Sequence, residues 1–176
     1  YEEIQQKYDI IVQEKAQVEA MLNEINMKKA TIFMDCFTKV NNEFKNIISK
    51  MSNSLKGSLE LSGKDPLSSD LIINITKNRQ TKNIDIISGG EKTITALAML
   101  FAVHSYKKSP FYILDEVDAA LDDQNSENLL NYIKELSKSV AVICITHNST
   151  IVSGASQVIG VTLKGNSSVI GLDMAK

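Results

Sequence analysis

The stretch Phe111–Asp122 reads FYILDEVDAALD, a continuously apolar run that ends in a group of acids. The run Phe111–Leu114 is typical of a strand that is buried on both faces of a parallel sheet. A second apolar run, Val140–Ile145, follows a helical pattern at Asn125–Lys138. Strand, helix and strand in this order predict an α/β fold with a parallel sheet.

The stretch Ile87–Lys92, ISGGEK, predicts the start of a helix upstream of the first strand. Ser88 and Glu91 have the spacing of a capping box in which Ser88 is the N-cap. The apolar residues that follow indicate a buried helix that ends near Tyr106, before Pro110. The free amides and partial positive charge at such a helix start suit a phosphate group.

Asp115, Glu116 and His147 follow the ends of the two predicted strands. Ligands of parallel sheets bind at the carboxyl ends of the strands. Asp115 is therefore a candidate to hold Mg²⁺ through water, and Glu116 to orient or deprotonate an attacking water. His147 is a candidate to sense or polarise a γ-phosphate. Taken singly, the acid pair could equally begin a helix, and the histidine could simply bond to the backbone.

A phosphate-binding loop of the form G-x-x-x-x-G-K-[ST] is absent from the 176 residues. Gly57 and Gly63-Lys64 resemble a fragment of one, but the spacing is one residue too long, and Asp65 replaces the Ser or Thr that would hold Mg²⁺. We interpret Lys64 as a turn residue. The chain has the acids of a phosphoryl-transfer site without its main triphosphate-binding loop. Either it does not hydrolyse nucleotide, or another segment supplies that loop.

Residues 1 to about 52 predict one long helix, because the first Gly or Pro is Gly57. The first half carries a 4-3 apolar stripe, with Lys15 at one position of it: Ile4, Tyr8, Ile11, Val18, Leu22 and Ile25. After a step of eight residues the stripe resumes at Phe33 with larger side chains. We interpret 1–32 as a coiled-coil segment that needs a partner strand and 33–176 as the globular part. The alternative is a single amphipathic helix that lies flat on its own domain. A helix of more than about 30 residues would be about 45 Å long, which is too long for so small a core.

Two short β-prone runs, Ser58–Leu61 and Asp70–Thr76, predict a hairpin or meander. The polar stretch Asn78–Asn83 predicts an exposed loop. Its Arg79 and Lys82 could contact DNA, but a solvated loop is the favoured interpretation.

The C-terminal part predicts a short helix near Ser149–Ala155 and then a hairpin. The two strands of that hairpin are predicted at Gln157–Leu163 and Ser167–Met174, on either side of a turn at Lys164-Gly165-Asn166.

Composition and charge narrow the class of protein. The chain is 43% apolar and 23% charged, which is ordinary for a soluble protein. A formal net charge of −2 argues against a chain that is basic overall, without excluding a local basic patch. Cys36 and Cys144 have no metal-ligand spacing and indicate reduced thiols in an intracellular protein.

The sequence contains no signal of a membrane span or a signal peptide. No apolar run approaches the roughly 20 residues of a membrane span, and Tyr1-Glu2-Glu3 is not a signal peptide. The helical pattern is already under way at residue 1, which indicates a piece of a longer protein.

These residues resemble three motifs of ABC-type ATPases. Ile87–Lys92 resembles the signature motif, Tyr112–Glu116 the Walker B motif and Ala120–Asp122 the D-loop. Val117-Asp118 discriminates among such ATPases, since transporters and Rad-type repair ATPases usually have Pro-Thr or Pro-Ser there. The run Asp115–Asp122 resembles the SMC family, the chromosome-organising ATPases of cohesin, condensin and their prokaryotic relatives.

The choice within the family stays open. His104–Phe111 and Asn166–Asp173 look most like a cohesin Smc-one-type subunit, whereas Thr146-His147-Asn148 matches a prokaryotic SMC.

The resemblance implies the C-terminal half of an ABC-type ATPase head, with a parallel-sheet core, a β-meander, a C-terminal hairpin and a protruding coiled-coil helix. The N-terminal lobe of the same protein would carry the phosphate-binding loop, so this fragment alone would be inactive. In the family, ATP joins two heads and hydrolysis releases them. The implied partners are that lobe, a second SMC head, a kleisin subunit and DNA, with no membrane. The implied location is the chromosome, in the nucleus of a eukaryote or the cytoplasm and nucleoid of a prokaryote.

The resemblance also implies roles for individual residues. The cofactors would be ATP and Mg²⁺, with Asp115 and Glu116 completing the site of their own head and His147 facing its γ-phosphate. Four residues would face the ATP held by the partner head: Ser88, Gly89, Gly90 and Glu91. Asp122 would lie near that interface. The alternatives are a non-catalytic scaffold that only forms a coiled coil and binds a kleisin, or the same lobe of another ABC-type repair ATPase, which Val117-Asp118 disfavours.

Overall fold

The chain folds into four helices and seven strands in the computed structural model, which describes residues 1–107, 109–164 and 166–173. The helices are α1 Glu2–Met51, α2 Gly89–Tyr106, α3 Asp123–Ser137 and α4 Ser149–Ser153. The strands are β1 Leu55–Leu61, β2 Leu71–Lys77, β3 Gln80–Asn83, β4 Phe111–Asp115, β5 Ala141–Ile145, β6 Gln157–Lys164 and β7 Asn166–Asp173. A short 3₁₀ turn, Ile84–Ile86, leads into α2.

The sheets are three in the described part of the chain. β1, β2 and β3 form an antiparallel meander, β4 and β5 a parallel pair, and β6 and β7 an antiparallel hairpin. The α/β fold with a parallel sheet is therefore confirmed, with α3 as the crossover between the parallel strands. Lys108, Gly165 and Met174, which belong to the predicted helix end, turn and last strand, lie outside the described residues.

α1 is one continuous helix, as predicted, but only its last part enters the core. Burial along it begins at Val40, and Phe44 and Ile48 are fully enclosed. Phe33 keeps 37% of its surface exposed and stacks on Phe37 with 6.3 Å between ring centroids. The stripe of the first half is exposed along its whole length, at Ile4, Tyr8, Ile11, Val18, Leu22 and Ile25.

α2 packs against α1 and the parallel strands through an apolar stripe. Its Phe101 lies edge-on to Tyr112 of β4 at 5.6 Å and tilts against Tyr132 of α3 at 5.1 Å. The prediction of a helix buried on all sides was wrong, because Leu100 and Val103 are exposed. The layer that would cover this second face is not supplied by the described residues.

The parallel strands are likewise buried on one face only. Tyr112 and Leu114 of β4 point into the core, whereas Phe111 and Ile113 are 54% and 58% exposed. In β5, Ile143 and Ile145 are 55% and 52% exposed. The prediction of strands buried on both faces was therefore wrong for this chain: among the described residues, α2 and α3 cover only one side of the pair. We call these four exposed residues the open sheet face.

The meander corrects the prediction of an exposed loop at Asn78–Asn83. Asn78 and Arg79 both adopt left-handed backbone conformations, with φ of 51° and 65°, and Lys77 pairs directly with Gln80. A two-residue connection with positive φ at both positions is the tight hairpin turn that fits the twist of antiparallel strands. β3 therefore pairs with β2 as an edge strand whose four residues are all exposed.

Three smaller predictions concern the remaining chain. The terminal hairpin is present and pairs Gln157 with Asp173. Cys36 and Cys144 are free and half-buried, and burial raises the pKa of the Cys144 thiol. Among the residues described, no helix has both the length and the apolar character to cross a membrane.

Candidate nucleotide site

The start of α2 is a capping box, as the sequence predicts. Ser88 is the N-cap, and its hydroxyl accepts the Glu91 amide at 3.4 Å. The Glu91 carboxylate accepts the Ser88 amide at 2.9 Å. The amides of Gly89 and Gly90 come before the first amide that can bond within the helix, so they are available to an external acceptor.

Glu91 is tied to the meander as well as to its own helix. Its second carboxylate oxygen accepts the ammonium of Lys77, the last residue of β2. Lys77 first, and then the Ser88 amide, hold the pKa of Glu91 below its usual range. Glu91 is a candidate cofactor-binding residue, but both of its carboxylate oxygens already accept hydrogen bonds from within the chain. Sequence spacing predicts the cap, but it carries no signal for Lys77.

We expect Lys77→Met to lower the free energy of unfolding at neutral pH by about 1 kcal/mol or less. We also expect the stability of this variant to depend less on pH in the acidic range. A carboxyl group whose folded-state pKa is lowered stabilises the fold above its unfolded pKa, near 4.3, and this stability is lost as the pH falls through the folded pKa. The wild type should lose this increment from about pH 5 downward, and Lys77→Met should lose less of it. Urea midpoints from neutral to acidic pH measure the difference.

Lys56→Met is the control for that series. Lys56 is an exposed lysine on β1 that forms no ion pair with the described residues. Removing it should leave the acid dependence of stability as it is in the wild type. Parallel stability curves for the wild type and Lys77→Met would show that Lys77 does not lower the pKa of Glu91.

Gly89 and Gly90 differ in their surroundings. A Cβ atom on Gly90 would lie 2.8 Å from the carbonyl oxygen of Ala120, so the absence of a side chain permits this close approach. A Cβ atom on Gly89 would meet nothing within 4 Å. Packing within the chain thus explains the glycine at position 90. The missing side chain allows the start of α2 to pack against the Ala120–Asp122 loop. Packing in this chain does not explain Gly89.

Asp115 and Glu116 lie where β4 ends, and both are exposed. Glu116 has a φ of 46°, which is unusual for a residue other than glycine and costs on the order of 1 kcal/mol. Its amide donates to the Ile145 carbonyl at 2.8 Å, extending the parallel pairing by one bond, and its carbonyl accepts the Ala119 amide at 3.2 Å. This conformation turns the chain sharply just after the strand, and no sequence signal predicts it.

His147 lies beside Glu116, as their positions at adjacent strand ends predict. The His147 Nδ1 and a Glu116 carboxylate oxygen are 4.0 Å apart, and the two side chains are 79% and 63% exposed. Each therefore points out of the fold toward solvent. The structure brings these two candidate catalytic residues together, and Asp115 is the neighbour of Glu116 in the chain.

Sequence reasoning missed a set of polar side chains beneath this pair. The Thr146 hydroxyl donates to the Asp118 carboxylate at 2.6 Å, and the same hydroxyl accepts the Asn148 amide at 2.9 Å. The Asn148 side chain donates to the Ser126 hydroxyl at 3.1 Å. Asp118 is 5% exposed and Ser126 is fully buried. In the sequence, Asp118 serves only to distinguish families, and its spacing indicates no role in the fold.

Asp122, another candidate, is the N-cap of α3. Its carboxylate accepts the Asn125 amide at 2.8 Å. This position anchors the loop that carries Ala120, the residue against which Gly90 packs.

The residues present fit a magnesium site that is completed from outside the chain. Mg²⁺ is usually bound through one or two carboxylates, several waters and substrate phosphates. Asp115 offers an exposed carboxylate of that kind. Among the described residues, no group of three or more His, Cys, Asp or Glu side chains could hold a metal ion alone.

Comparison with known proteins identifies one family. The family model described as the RecF/RecN/SMC N terminal domain matches residues 4–169. The chromosome partition protein Smc of Pyrococcus furiosus is 36% identical over 179 aligned positions, which take in 100% of this chain and 15% of that protein. The chain thus spans about 15% of the length of the curated relatives it matches.

Two solved structures share the fold. One is the Smc head domain with an extended coiled coil, bound to the C-terminal domain of ScpA, from Pyrococcus furiosus. It matches with a TM-score of 0.88 at 36% identity, over 99% of this chain and 44% of that one. The other comes from work on ATP-driven dimerization and DNA-stimulated activation of SMC ATPases. It matches with a TM-score of 0.74 at 37% identity, over 82% of this chain and 90% of the solved one.

Proposed function

The chain belongs to the SMC family, and on that premise we propose that it is the C-terminal lobe of an ABC-type ATPase head. In this proposal, residues 1–32 are the end of a returning coiled coil and residues 33–176 are the lobe. The N-terminal lobe of the same protein supplies the phosphate-binding loop. The lobe acts in ATP-dependent engagement of two heads during chromosome organisation.

The open sheet face is the observation that carries the proposal. Parallel strands are normally covered on both sides, yet Phe111, Ile113, Ile143 and Ile145 are all more than half exposed. The same two strands end at Glu116 and His147. A half-covered sheet therefore adjoins a half-complete nucleotide site, and one N-terminal lobe would complete both.

The proposed chemistry is hydrolysis of ATP. Bound Mg²⁺ would neutralise charge on the β- and γ-phosphate oxygens, and Asp115 would hold the ion through water. Glu116 would orient a water and accept its proton as the water oxygen attacks the γ-phosphorus, while the bond from that phosphorus to the β–γ bridging oxygen breaks and ADP leaves. His147, beside Glu116, would contact the γ-phosphate from the end of β5.

The start of α2 would serve a different nucleotide, the one held by a second head. The free amides of Gly89 and Gly90 and the helix dipole suit a γ-phosphate, and the Ser88 hydroxyl lies at the same end. Glu91 would hold this end of the helix rather than touch the nucleotide, because both its oxygens are engaged. Asp122 would lie near the boundary between heads, since its loop contacts Gly90 through Ala120.

The further partners proposed are a coiled-coil strand, a kleisin subunit and DNA, with the chromosome as the location. The exposed stripe on the first half of α1 supports a partner strand. A solved SMC head with the same fold is bound to the C-terminal domain of ScpA, which supports the kleisin.

A reconstitution experiment tests the proposal. This chain alone is expected to hydrolyse no ATP, and addition of the N-terminal lobe of the same protein should produce turnover and ATP-dependent association of heads. An additional variant, Gly89→Asp, should retain the fold, because the position has free space and an acid favours a helix N-terminus. Its charge near the partner's triphosphate should weaken association by about tenfold or more.

Gly89→Ala is the control for that variant, since it fills the same space without charge and should still associate. Unchanged association of Gly89→Asp would refute contact between this residue and ATP. Absence of turnover in the mixture would instead favour the alternative function, a scaffold that only forms a coiled coil and binds a kleisin.

A further inference from the structure

We propose that Asp118 and Thr146 are positioning residues that hold the His147 loop in register with the Glu116 loop. The proposal rests on the function proposed above and deepens it by naming the side chains that set the position of His147 relative to Glu116. Neither Asp118 nor Thr146 is proposed to touch nucleotide or water in the reaction.

The hydrogen bond between them joins two segments that are far apart in sequence. Asp118 follows β4 and Thr146 follows β5, and the Thr146 hydroxyl donates to the Asp118 carboxylate at 2.6 Å. Asp118 is 5% exposed, so the carboxylate that accepts this bond is shielded from water. A charge-assisted hydrogen bond of this length is among the stronger ones in proteins.

The residue on the other side of His147 is also held. Asn148 donates its side-chain amide to the fully buried Ser126 of α3 at 3.1 Å, and its side-chain oxygen Oδ1 accepts the Thr150 amide at 2.9 Å. Its backbone amide donates to Thr146 at 2.9 Å. His147 thus projects from a loop whose two flanking residues are both bonded to buried groups.

The side chain of His147 itself has no comparable restraint. It is 79% exposed, and its one charged neighbour among the described residues is Glu116 at 4.0 Å. Its position relative to Glu116 is therefore set by the backbone on either side. The two loops meet through one backbone bond, from the Glu116 amide to Ile145, and one side-chain bond, from Thr146 to Asp118. Only the side-chain bond can be removed by substitution.

Thr146→Val and Thr146→Ser test the proposal in the head reconstituted from this chain and an N-terminal lobe. Valine keeps the shape and removes the hydroxyl, whereas serine keeps the hydroxyl. We expect Thr146→Val to lower kcat by about tenfold or more, because small displacements of reacting groups cost this much. Its KM for ATP should stay unchanged, since the other lobe carries the phosphate-binding loop. Thr146→Ser should restore kcat to near the wild-type value.

Two further variants separate positioning from folding. Thr146→Val leaves the buried Asp118 carboxylate without its donor, which costs stability. If it fails to fold, the double variant Asp118→Val/Thr146→Val removes both polar partners and should fold with the same low kcat. In a His147→Ala background, Thr146→Val should produce no additional loss of kcat, because it acts through His147.

The outcomes distinguish this inference from the proposed function. Full kcat in folded Thr146→Val, together with a low kcat in His147→Ala, would overturn the positioning role alone. A wild-type head without turnover, or a His147→Ala variant as active as wild type, would overturn the proposed role of the site, and with it the positioning role.

Discussion

Glu116→Gln is expected to lower ATP turnover of the reconstituted head by about 100-fold or more, the contribution that a positioned general base makes. The substitution keeps the size of the side chain and removes its ability to accept a proton. The left-handed backbone at this position is a property of the loop, so the fold should be unaffected. Because ATP would bind and remain uncleaved, the same variant should prolong ATP-dependent association of heads. Steady-state phosphate release and size-exclusion chromatography with ATP measure the two effects.

Glu60→Gln is the matched control, since Glu60 is an exposed carboxylate on β1 and should be silent in both assays. If Glu116→Gln hydrolysed ATP as fast as the wild type, Glu116 would not be the base. His147 would then be the remaining candidate at these strand ends.

Phe44→Ala should have the largest effect on stability, about 3–5 kcal/mol from a total of roughly 5–15 kcal/mol. The Phe44 ring is fully buried where the end of α1 meets β1. The ring lies against Gly57, on which a Cβ atom would be only 2.5 Å from it. Gly57 therefore has no side chain that could fill the space left by the ring. Urea unfolding followed by far-ultraviolet circular dichroism measures the loss.

Phe33→Ala is the control on the same helix, and it should cost less than about 1 kcal/mol because Phe33 is already exposed to solvent. Similar losses for the two variants would mean that Phe33 contributes as much to the core as Phe44 does.

Local patterns predicted the elements of this fold because their causes are local. The length of α1, the capping box of Ser88 and Glu91, and the parallel pair follow from spacing and apolar runs. The edge strand β3 was missed because Asn78 and Arg79 both take positive φ. Asparagine tolerates positive φ, but an arginine in a sequence does not indicate that its φ is positive.

The candidate site was predictable as a list of residues but not as a geometry. The ends of the two strands brought Glu116 and His147 together, as parallel pairing requires. The contacts that hold the site join distant segments: Lys77 with Glu91, Asp118 with Thr146, and Gly90 with Ala120. Such pairs have no periodic spacing, so one sequence does not reveal them. The exposed side of the parallel strands was not predicted, because an apolar run does not show whether the same chain covers both faces of a sheet.

The length of α1 has a mechanical consequence. Cys36 is the first hydrophobic residue of α1 that packs against the core, so residues 2–35 extend about 51 Å beyond it. A tilt of 10° about the buried end would move the free end by about 9 Å. The buried end packs directly on α2, the helix whose first residues are Gly89 and Gly90. The helix is therefore long enough to act as a lever arm, because a small rotation where it meets α2 displaces its free end several times further.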